Sequence, residues 1–394
     1  MATEETAQAQ VNIHGWVGDG YEAVRIAFER NFAEHGERGA AFAATVDGEP
    51  VVDLWGGLAD PASGSPWQED TLQVIFSGTK GLVALCLLLL VDRDELELEA
   101  PVARYWPEFA AHGKGAVRVL ELASHRARLP GIRTPLEEDE ILDDRRMAAL
   151  LADQPQETDP RAGDAYHALT FGWLCGELVR RVDGRSIGAF FDDEVARPLG
   201  LDVWIGLPPE LEGRVATLEY APSWWDGRRD EAEVANDPLM VCVLRNPPVF
   251  PPGPLPWNRP AWHRAEIPSA GGIASARSLA RLYGCLARGG ELDGVRLLRE
   301  QTLADGTREL TRRVDPLIDE PHVFGVGFQL QNVAHRLGPP ADAFGHGGAG
   351  GSMHCAWPSR RVGVSYAMNA LRADMPVDPR SHALLQALHG ALVD

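Results

Sequence analysis

Ser77 and Lys80 stand three residues apart in Phe76-Ser77-Gly78-Thr79-Lys80-Gly81, where an apolar run that continues to Val91 begins. If that run is a helix, the spacing puts the hydroxyl and the amine on one face with their ends able to meet. Ser77 then lies at the helix N-terminus, where free N–H groups and the positive end of the dipole favour developing negative charge. A serine is a weak nucleophile until a neighbouring base takes its proton. A desolvated lysine can serve as that base, whereas an arginine stays protonated. Of the 37 basic residues only two, Lys80 and Lys114, are lysine. Thirteen serines and two lysines give this spacing by chance in about one chain in fifteen, so the rest of the sequence must decide.

Two further stretches carry groups of the right chemistry. Tyr166-His167-Ala168 precedes a helical pattern and supplies a phenol, with His167 read as structural. Phe344-Gly345-His346-Gly347-Gly348-Ala349-Gly350-Gly351 is a glycine-rich run whose backbone can approach a bound group closely. The one Gly-x-Ser-x-Gly, Gly184-Arg185-Ser186-Ile187-Gly188, joins two helical patterns and not a strand to a helix, so it is no nucleophile elbow to make His346 part of a serine-histidine triad, and no Gly-x-x-x-x-Gly-Lys loop occurs to cradle a phosphate. No zinc-ligand spacing or cofactor motif occurs, so the chemistry is expected to need neither metal nor cofactor.

Taken with Tyr105-Trp106-Pro107-Glu108-Phe109, Ser124-His125-Arg126-Ala127-Arg128-Leu129-Pro130, Tyr166 to Gly172 and Pro268-Ser269-Ala270-Gly271-Gly272-Ile273, the sequence resembles one superfamily from about residue 20 to 390. This is the class C serine β-lactamases, the penicillin-recognising DD-peptidases and, closest, the family VIII carboxylesterases. The resemblance implies that Ser77 is the nucleophile, that Lys80 and Tyr166 exchange its proton, and that the backbone N–H groups of Ser77 and Ala349 form an oxyanion hole. Which of Lys80 and Tyr166 is the base stays open. The chain departs from the family pattern twice. Ala168 stands where the second motif has asparagine, and His346-Gly347-Gly348 stands where the third has Lys-Thr-Gly. Losing that lysine removes a fixed charge for a substrate carboxylate, which favours neutral esters over β-lactams.

These groups need a scaffold. An amphipathic helix is expected around Tyr21 to Glu34, then strands at Ala40 to Val46 and Val51 to Leu54 about the turn Asp47-Gly48. Helices are expected at Phe171 to Val182, closed by Asp183-Gly184, at Ile187 to Val195 and at Arg277 to Ala287. Strands are expected at Val323 to Gln329, Met353 to Trp357 and Val362 to Met368. The simplest assembly is an α/β (α+β) fold in which residues 1–95 and 270–394 build one antiparallel sheet from both termini, flanked by helices, with a mainly helical domain inserted at 96–269. Within it, 221–268 is rich in tryptophan and proline and lacks a lasting period, so it reads as a long ordered loop. Trp224, Trp225, Trp257 and Trp262 are expected either to line an apolar substrate site with His346, Gly347 and Gly348, or to seal a satellite core.

With 394 residues, 45% of them hydrophobic, the chain can bury a substantial core, and a net charge of -20 disfavours nucleic acid and anionic membranes as partners. The substrate is expected to be a small-molecule ester or acyl donor. The polar, acidic start lacks the features of an export signal, and five widely spaced cysteines fit reduced thiols, so a cytoplasmic location is expected. Within one chemistry, a serine carboxylesterase leads, and an acyltransferase passing the acyl group to an alcohol or amine is the alternative. A β-lactamase, a D-aminopeptidase or a non-catalytic acyl-binding sensor ranks lower.

Overall fold

A computed structural model describes residues 11–226, 231–373 and 377–393. Its frame is a ten-stranded antiparallel sheet. The N-terminal part gives β1 (Ile13–Val17), β2 (Gly39–Val46) and β3 (Glu49–Asp60). The C-terminal part gives β4 (Thr311–Val314), β5 (Pro321–Phe324), β6 (Gln329–Leu330), β7 (Phe344–Gly347), β8 (Met353–Trp357) and β9 (Val362–Met368). Their order is β1-β3-β2-β9-β8-β7-β6-β5-β4, with the short Ser65–Pro66 strand pairing β3. The two ends of the chain meet where β2 pairs β9, Phe42 opposite Tyr366.

Five helices matter for the site: α1 (Glu22–Glu34), α2 (Thr79–Asp92), α3 (Thr170–Asp183), α4 (Ala276–Ala287) and α5 (Pro379–Ala391). Alternation along β2 separates its two faces. Ala43 packs with Ala276, Ala280 and Ala367, and Thr45 Oγ1 donates to Ala280 O, so that face meets α4. Ala40, Phe42 and Ala44 join the main core. Contact with α4 is closest at Gly363, where a Cβ would collide with Gly284 N and Ala280 O. Every residue of α2 from Thr79 to Leu90 is buried, as an apolar helix without a polar face requires.

Two expectations change. Val323 to Gln329 is not one strand but β5 and β6 about a turn, with Gly327 at φ +71°. The 221–268 segment contains short helices at Glu231–Ala235, Pro238–Leu244 and Pro260–Arg264. The second begins on an Asp237 cap whose carboxylate accepts from Leu239 N and Met240 N, a start signal that the surrounding prolines obscure.

Candidate active site

Ser77 lies in a single 3-10 turn, Phe76–Gly78, that leads directly into α2. Phe76 holds φ +46°, a left-handed conformation costly for a bulky residue. It persists because the surroundings seat its ring: Phe250 and Trp257 lie at centroid distances of 5.4 and 5.2 Å. From below, Thr79 Oγ1 donates to Phe76 O (2.6 Å) and accepts from Gly272 N (2.8 Å), while Ile75 N donates to Gly272 O (2.9 Å). Gly78 lies against His354, which would be struck by any Cβ there.

Lys80, one turn on, is wholly buried. Its Nζ sits 3.2 Å from Ser77 Oγ, 2.7 Å from Ala168 O and 3.0 Å from Ser269 O. Burial pushes its pKa well below the usual lysine range. A neutral amine has two N–H donors and one lone pair. The two carbonyls take both donors, which leaves the lone pair for the Ser77 hydroxyl proton. Once protonated, the ammonium finds three acceptors in the same three atoms. The Tyr166 ring lies under it, 4.8 Å from Nζ to the centroid, where a cation gains further stabilisation.

Tyr166 precedes α3, and its backbone N–H is tied to the Asp315 carboxylate. Its ring is held by Phe324, stacked at 5.8 Å, and by His125 at 4.7 Å. Burial raises the phenol's pKa, against a smaller opposing effect of the Ser77 hydroxyl, so Tyr166 is a neutral proton donor at pH 7. Its hydroxyl reaches His346 Nε2 at 3.4 Å. His346 Nδ1–H donates to Gly347 O (2.7 Å), which fixes the tautomer with the Nε2 lone pair toward the tyrosine. Burial holds that imidazole neutral. His167 is buried, with Nδ1–H on Ala165 O (3.0 Å) and Nε2 accepting from Leu129 N (3.2 Å), and burial lowers its pKa to about 3.

A cavity of about 320 Å³ opens over these groups. Ser77, Tyr166, His346, Gly347, Gly348 and Ala349 line it, with Trp224 on another wall. Of the two readings of the four tryptophans, lining the site or sealing a core, the cavity wall takes only Trp224 among them. Trp257 and Trp262 are 1% exposed and pack on each other at 4.8 Å, with Trp257 Nε1 donating to Val249 O, so they belong to the core that seats Phe76. Trp225 is 41% exposed and packs on Tyr220 outside the cavity. Glu320, His322 and Arg336 add a polar wall with no motif to signal it. The two carbonyls that hold Lys80 also escape sequence reasoning, because a backbone oxygen leaves no trace in residue type.

A family model described as Beta-lactamase matches residues 26–388. The chain belongs to the β-lactamase family and is a serine hydrolase with the fold of that family. It is 33% identical to "Esterase/beta-lactamase LipL" of Mycobacterium tuberculosis, over 97% of this chain and 88% of that protein. Among solved structures, it is 38% identical to a family VIII carboxylesterase, with a TM-score of 0.88 over 96% of this chain and 100% of the other. A penicillin-binding protein homolog from Caulobacter crescentus is 39% identical, with a TM-score of 0.86 over the same shares of the two chains.

Proposed function

We propose that this serine esterase hydrolyses neutral small-molecule esters through an acyl-enzyme on Ser77, with Lys80 as the base. The observation that carries this reading is the buried Lys80 amine 3.2 Å from Ser77 Oγ, with two carbonyls placed to accept the two N–H groups of its neutral form. Lys80 takes the hydroxyl proton as Ser77 Oγ attacks the ester carbonyl, and the N–H groups of Ser77 and Ala349 receive the oxyanion. Collapse breaks the bond to the alcohol, which takes its proton from Tyr166, and Lys80 returns a proton to the phenolate. Water then attacks the acyl-enzyme by the reverse relay.

Ala349 supports its part by lining the cavity with an N–H that meets no acceptor among the described residues. Neutral substrates are supported by how the cationic side chains on the wall are engaged: Arg336 pairs with Glu320 at 2.8 Å, and Arg372 donates to His35 O. We place the enzyme in the cytoplasm on its five buried, unpaired thiols. An acyltransferase would use the same residues and differ only in the second acceptor.

The test is intact-mass detection of an acyl adduct with p-nitrophenyl butyrate, with kcat/KM compared for the butyrate, the palmitate and nitrocefin. An adduct on wild type and none on Ser77→Ala, with the butyrate preferred, is expected. Preference for nitrocefin overturns the neutral-ester reading.

A further inference from the structure

Arg380, the second residue of α5, is 0% exposed. Its guanidinium donates to Asp378 Oδ1 (Nε, 3.1 Å) and Oδ2 (Nη2, 2.8 Å), to Glu37 Oε1 (Nη1, 3.0 Å), to Ala370 O (Nη1, 3.0 Å) and to Gly350 O (Nη2, 2.8 Å). The second Glu37 oxygen accepts from the Tyr366 hydroxyl. Charges buried this deeply are often replaceable by apolar side chains with no loss of stability, so stability alone is a weak reason for such a cluster.

Its bond to Gly350 suggests another reason. Gly350 O also accepts from Arg372 N (3.1 Å), in the turn that follows β7. Gly351 N closes that turn on Gly348 O at 3.3 Å. Gly348 C=O and Ala349 N–H belong to one trans peptide and point in opposite directions. A carbonyl turned back toward Gly351 therefore sends the Ala349 N–H away from the turn, on the side where Ala349 lines the cavity. The turn is confined on two flanks. A Cβ on Gly348 would collide with Ile75 O, two residues before the nucleophile, and a Cβ on Gly351 would collide with Asp378 Oδ2 and lie 2.7 Å from Arg380 Nη2.

We propose that Arg380, set by Asp378 and Glu37, is a positioning residue that holds the Gly348–Gly351 turn so that the Ala349 N–H faces the oxyanion. This rests on reading Ala349 as an oxyanion donor, and Ala349→Pro, which deletes that N–H, tests that reading alone. Full kcat in Ala349→Pro overturns the donor reading and this proposal with it; a large loss of kcat supports the donor and leaves Arg380 to its own variants.

Those variants are Arg380→Lys and Gly351→Ala. Each is assayed for Tm, KM, kcat and inhibition by butylboronic acid, whose boron accepts the Ser77 oxygen lone pair while the hydroxyl proton passes to Lys80. One oxygen of the resulting tetrahedral adduct fills the oxyanion position. In Arg380→Lys, kcat is expected to fall about 100- to 1,000-fold and boronate affinity in parallel, with KM nearly unchanged. Gly351→Ala reaches the same turn without altering a charge and should show the same coupled loss, so the test survives if Arg380→Lys fails to fold. A lowered Tm with wild-type kcat and boronate affinity in the folded variants would mean that the cluster is only structural, and overturns the proposal.

Discussion

Lys80 has no carboxylate within reach of its amine among the described residues, only carbonyls, a hydroxyl and an aromatic ring. Its ammonium is therefore disfavoured, which suits the proposed base and is also a burden on the fold. Lys80→Arg keeps the charge and loses the titratable lone pair, and turnover of p-nitrophenyl butyrate should fall at least about 1,000-fold. The same burial gives a pH signature. Between its lowered native value and the ordinary lysine value of 10.5, the unfolded chain holds a proton on Lys80 that the native site gives up, so unfolding takes up a proton and stability rises with pH. Denaturant midpoints of wild type should thus gain on Lys80→Met between pH 7 and 10, and the reverse trend would mean that Lys80 is charged in the fold. Activity should likewise decline on the acid side as the amine protonates. Tyr166 carries the opposite shift, which fits the proposed role of proton donor. Tyr166→Phe should lower kcat about 100-fold or more with KM within a few-fold; a rise in KM alone would make it a wall of the pocket.

At the scale of elements, α3 does more than follow Tyr166. Gly172 N donates to Ser269 Oγ (2.6 Å), and that hydroxyl donates to Leu169 O (2.7 Å), so the helix grips the segment whose carbonyl holds Lys80. A Cβ on Gly172 would collide with Ser269 N and Pro268 C. Gly172→Ala should displace Ser269, lower Tm and cut kcat about tenfold or more, measured by melting and steady-state kinetics. Helix α3 was legible in the sequence because its apolar period is clean and Gly184, at φ +96°, ends it. Strand β1 was not: Ile13-His14-Gly15-Trp16-Val17 has no apolar alternation, and only pairing with β3 makes it a strand. Ser77 and Lys80 stood out by type and spacing, whereas Tyr166 and Ala349 entered through the resemblance and the Glu320, His322 and Arg336 wall had no signal. The supports of the site were not legible, since His125 acts by packing, Ala168 and Ser269 by their carbonyls, and Arg380 from nearly the far end of the chain.

For the molecule as a whole, the central pairing of β2 with β9 joins residues more than three hundred positions apart, and Glu37, just ahead of β2, meets Arg380 of α5. Strands at both ends of the sequence pointed to this closure, but its register and the Glu37–Arg380 contact left no local signal. A second feature acts at this scale. Lys114, like Lys80, is fully buried, its Nζ donating to Ala111 O and Ala152 O at 2.9 Å and to Gln154 O at 2.5 Å. A compact ammonium with three donors satisfies three carbonyls where a planar guanidinium would not fit. Since these are the chain's two lysines, the folded protein presents no lysine amine to solvent. Amine-reactive esters should therefore leave both lysines unmodified in the native enzyme and label both in denaturant, as read by peptide mass mapping. Coupling to amine-reactive resins and dyes should find no lysine side chain on the native enzyme, which sets it apart from proteins immobilised through many surface amines.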